Sequence, residues 1–117
     1  MTDATMTYLE NAGGLVTIQE EATVSRTILK ADGVRLVLFA FDEGQVLTEH
    51  TAAMPVLLQA TEGRFRITGG DATVELGVGD IIHLDTRLPP SVTALEPSKL
   101  LLTMVDARVK PLIAEVG

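Results

Sequence analysis

His50 and His83 are the two histidines of a 117-residue chain that has no cysteine. Beside the carboxylates, they are its candidates for proton transfer or metal ligation near neutral pH, where an imidazole titrates at about 6.5. His50 stands near the mouth of the stretch VLTEHTAAMPVLLQATEG, residues 46–63, which is rich in small and apolar residues. There it reads in two ways: as a hydrogen-bonding group on a pocket wall, or as a strand-end histidine satisfied by a backbone carbonyl or by Gln59. An apolar surrounding would lower its pKa and favour the neutral ring. His83 precedes Asp85 by two residues in DIIHLD. On an extended strand they share one face while Ile82 and Leu84 take the other, so the pair suits either an inward-facing site or an exposed or interface position. Gln59 interrupts the apolar PVLLQA. A buried amide without partners costs about 1–3 kcal/mol, so facing inward it would mark a ligand contact or an internal network. Parity sets it opposite Val56, against the pocket unless a bulge intervenes. Met104 in LLTMV suits an adaptable apolar pocket floor as well as core. Neither a nucleophile elbow nor a phosphate-cradling glycine loop occurs. General acid–base work would fall to His50, with Asp85 as a partner.

The elements that must position these residues are short. From Gly13 onward, apolar segments alternate with turn residues: GLVTIQ, VSRTILK, VRLVLFAF, QVLTEH, MPVLLQA, RFRIT, ATVEL, DIIHLD, SVTALE and KLLLTMVD. Ten strands at a spacing of about 8 to 12 residues predict an antiparallel sandwich or barrel. Gly69-Gly70-Asp71 marks a hairpin between RFRIT and ATVEL. In RFRIT, Phe65 and Ile67 face one way and Arg64 and Arg66 face solvent. VRLVLFAF, PVLLQA and KLLLTMV are apolar on both faces, which asks for a second cover. A second copy of the chain is the simplest cover, so a homodimer is expected. Pro89-Pro90 predicts a stiff loop at the pocket rim.

With 46% hydrophobic but 3% aromatic residues, the core must rest on Val, Ile and Leu. The chain length suits one domain, spanning 1–117. A net charge of −7, with nine scattered basic residues, argues against nucleic acid. The N-terminal stretch lacks a basic cluster and an apolar h-region, and no apolar run is long enough to span a bilayer. A cytoplasmic protein is expected.

Two spacings go further. Gly44 is followed by five residues, His50, Thr51, Ala52, three residues, Val56, six residues and Gly63. Gly79 is followed by five residues, Asp85, two residues, two more, Pro90, three residues and Ala94, and residues 64–78 separate the two runs. These intervals resemble the two motifs of the cupin superfamily, at about 44–63 and 79–94, in the manner of a small single-domain, RmlC-like cupin of the conserved-barrel type. The resemblance implies an all-β fold, a double-stranded β-helix or jelly-roll barrel enclosing a pocket and commonly paired into homodimers, with 1–12 and 107–117 as peripheral segments.

In that family two His, a Glu and a third His hold a divalent metal. The corresponding positions are His50, Ala52, Val56 and Pro90, and only the first carries a donor. First-row metals in such sites need three or more N or O donors at about 2.0–2.2 Å. The expectation is therefore a metal-free, non-enzymatic module with no cofactor, binding or sensing an unidentified small molecule in a pocket that includes His50, Val56, Gln59 and Met104. Two enzyme readings stand beside it: a metal-independent isomerase-like cupin using His50 as base, and an oxygenase-like cupin whose metal site is rebuilt with His83 and Asp85.

Overall fold

The computed structural model describes residues 6–48, 55–85 and 88–106. Nine strands run through them: β1 (Thr23–Ala31), β2 (Val34–Phe41), β3 (Val46–Thr48), β4 (Val56–Glu62), β5 (Arg64–Gly69), β6 (Ala72–Gly77), β7 (Ile81–Leu84), β8 (Ser91–Ala94) and β9 (Ser98–Val105). They form two antiparallel sheets, a five-stranded one in the order β1-β2-β9-β4-β7 and a four-stranded one in the order β3-β8-β5-β6. The β5–β6 hairpin closes at Gly70-Asp71, and Gly70 adopts a φ of 58° that favours glycine.

The tenth expected strand, GLVTIQ, is a correction. Ala12–Leu15 form a single 3-10 turn, and the residues after it run outside both sheets. Their apolar side chains cover rather than pair: Leu15, Val16 and Ile18 pack on the outer side of the five-stranded sheet against Leu38, Ala40 and Leu101. Two cations tie the segment down, Lys99 Nζ donating to the Gly13 carbonyl at 2.7 Å and Arg26 Nη1 to that of Leu15 at 3.1 Å. Part of the cover demanded by the two-sided strands is thus supplied by the chain itself.

Strand alternation divides the rest. Phe39 and Phe41 of β2, Val56, Leu58 and Ala60 of β4, Phe65 and Ile67 of β5, and Leu100 and Leu102 of β9 meet between the sheets. All three phenylalanines gather at one end, with Phe41 edge-on to Phe65 at 5.1 Å and tilted against Phe39 at 6.1 Å. This end of the barrel is plugged. At the same end Gly63 turns β4 into β5 with φ 78°, and a Cβ there would lie 2.7 Å from the Pro97 carbonyl oxygen, so glycine is required. A register shift in β1 between Thr27 and Leu29 leaves Ile28 as an extra residue. Ile28 joins the outer cluster with Val24, and the shift brings Lys30 directly opposite Arg35.

Candidate functional site: the open end of the barrel

Opposite the phenylalanine plug, one row of directly paired residues crosses the five-stranded sheet: Lys30, Arg35, Met104, Val56 and Leu84. Val56 and Leu84 are buried in the inner core, and Met104 packs against it, so the row belongs to the inward face. In the next row inward Thr27 of β1 stands opposite Val37, and the row continues through the apolar Leu102, Leu58 and Ile82. From the four-stranded sheet Leu47, Ile67 and Val92 complete the wall. The β3–β8 ladder ends here with Thr48 opposite Ser91, and the buried Pro90 adjoins it in a loop.

Of the residues expected in the pocket, the structure brings together Val56 and Met104, which are direct cross-strand partners. Val56 is 9% exposed and occupies the position where the cupin resemblance puts a glutamate ligand. His50 and Ala52 lie outside the described residues. Gln59 does not join the wall: it sits half-buried on the outer face, opposite Ile81 and Leu101, because β4 runs without a bulge from Val56 to Ala60. His83 is likewise exposed on the outside, opposite Leu57, while its neighbour Leu84 enters the core. Asp85, also exposed, follows the end of β7.

Sequence reasoning missed Arg35. It shares the inward parity of Val37, Phe39 and Phe41, yet in a strand apolar on both faces a single arginine at the start gave no sign of which side it takes. The two phenylalanines at positions 39 and 41 carried that sign. With Lys30, Ala31, Gly33, Val34, Met104 and Asp106, Arg35 lines a cleft of about 270 Å³ beside the β1–β2 turn, at the end of the barrel that is open among the described residues. The Asp106 amide donates to the Gly33 carbonyl at 2.9 Å and fastens the end of β9 to the β1–β2 turn.

A resident metal fits poorly with these side chains. Among the described residues no cluster of three or more His, Asp or Glu could hold one. Ala52, Val56 and Pro90 offer no side-chain donor, which leaves His50 alone of the four implied positions. Among the described residues no helix is long and apolar enough to cross a membrane.

No family model and no curated protein matches the sequence. Solved structures do match it closely in shape. A conserved protein of unknown function from Streptococcus pyogenes superposes with a TM-score of 0.75 at 21% identity, over 90% of this chain and 92% of that one. A cupin superfamily protein from Desulfitobacterium hafniense gives 0.76 at 18% identity, over 89% and 95%. An RmlC-like cupin from Desulfovibrio desulfuricans gives 0.72 at 22% identity, over 88% and 97%. With two antiparallel sheets closed around one core and these neighbours in shape, the chain has the double-stranded β-helix fold of the cupins.

Proposed function

We propose that this chain is a metal-independent cupin that binds a small organic molecule at the open end of its barrel. The observation that supports the reading most directly is Val56. A buried valine packed among Leu58, Leu84 and Leu102 stands where a metal-binding cupin needs a carboxylate, and the wall around it is hydrocarbon. Such a wall favours the apolar part of a ligand, at about 25 cal/mol for each Å² of apolar surface removed from water. His50, outside the described residues, is the hydrogen-bonding group that the sequence offers for such a ligand.

The test is the untreated protein, purified at neutral pH without added metal. Elemental analysis is expected to find first-row metals far below one atom per chain, and a chelator is expected to leave the thermal midpoint unchanged. A near-stoichiometric metal whose removal lowers the midpoint would overturn the reading. Native mass spectrometry of the same sample reads any co-purifying organic molecule directly.

A further inference from the structure

The open end holds an unusual pair. Lys30 and Arg35 face one another in the β1–β2 register, and like charges directly opposite on adjacent strands are destabilising. The other described cations have evident places. Arg26 and Lys99 hold carbonyls of the N-terminal segment, Arg64 pairs with Glu75 at 3.1 Å, and Arg66 stands opposite Glu75 in the β5–β6 ladder. Neither Lys30 nor Arg35 forms an ion pair with a carboxylate among the described residues. Both line the cleft, alongside one carboxylate, Asp106. In a chain of net charge −7 this juxtaposition is retained by a bulge that sets the two side chains on one face.

We infer that the open end selects an organic oxyanion, a carboxylate or phosphate carried on an apolar body. This assignment rests on the small-molecule reading above and adds the ligand's chemical class. The Arg35 guanidinium offers a planar fork of donors matched to two oxygens, and Lys30 adds a point charge beside it. The apolar body then lies along Met104 and Val56, the next residues in the same row. Adjacent strands are about 4.8 Å apart, so Arg35 and Val56, two strands from one another, are spanned by about 10 Å, the reach of a chain of six or so carbons with its headgroup.

The experiment titrates the full chain with hexanoate, hexyl phosphate and neutral 1-hexanol, followed by amide NMR shifts at about 0.1 M salt, where the Debye length is about 10 Å. At least one acid is expected to bind ten or more times tighter than hexanol, and the stronger of the two names the oxyanion. Arg35→Gln should lose about tenfold or more for that acid while leaving hexanol unchanged. Arg35→Lys should recover part of the loss, and Arg66→Gln, the same charge change on the far sheet, should have no effect. If Arg35→Gln fails to fold, the exposed Lys30→Gln carries the same comparison. Equal binding of acid and alcohol, or acid affinity indifferent to both substitutions, overturns the oxyanion assignment and leaves the pocket reading standing. Failure of all three probes to bind overturns both.

Discussion

Ser98 is fully buried at the plugged end, and its hydroxyl ties two strands together. Its Oγ accepts from the Arg64 amide at 2.9 Å and donates to the Glu96 carbonyl at 2.7 Å. Ser98→Ala leaves a part-buried amide without its acceptor, and urea unfolding is expected to show a loss of about 1–3 kcal/mol. Asp42 does comparable work at the surface. Its carboxylate accepts from the Glu21 amide at 2.7 Å and the Glu43 amide at 2.9 Å, holding Glu21 at a φ of 54°. Those two bonds, the Glu21 one foremost, hold the Asp42 pKa below its ordinary 3.8. A carboxylate whose folded-state pKa is depressed adds stability above the unfolded value, and the gain is lost as pH falls through the folded one. Stability should therefore begin to fall as pH drops through about 4, and Asp42→Asn should flatten that acid limb. An NMR titration placing the Asp42 midpoint at or above 3.8 would contradict the account.

At the scale of elements, nine of the ten expected strands form, because alternation in RFRIT and turn residues such as Gly69-Gly70-Asp71 are local signals that tertiary packing did not override. GLVTIQ misled because its apolar residues satisfy an outer face without joining a ladder, and burial alone does not distinguish covering from pairing. The motif spacing located Val56 and Pro90 at the open end, and Gly63 keeps its place for a steric reason that the spacing only hinted at. Parity also set Gln59 away from Val56, as the structure has it. The Lys30–Arg35 pairing was hidden because it depends on one extra residue in β1, and no residue in VSRTILK announces a bulge.

For the whole molecule, the N-terminal segment covers only part of the outer surface of the five-stranded sheet. Leu29, Leu36 and Leu57 are half-buried there, and Ile81 on the edge strand β7 is 62% exposed. A second copy seated on this face would remove them from water, and the expected solution mass by light scattering at micromolar concentration is twice 12.5 kDa. Leu57→Glu, which sets a carboxylate into that face, should return the mass to that of a single chain, whereas a single-chain mass for the unaltered protein would sink the dimer.

The phenylalanine plug carries a consequence for traffic. A guest seated as proposed, past Arg35 and Met104, has the packed phenylalanines behind it and leaves the way it came. Arrival and departure then compete for a single threshold, and a second molecule cannot push the first out from behind. Occupancy would be governed at the lip, where the cations stand, and changes there should alter the time a guest stays more than the shape of the room it occupies.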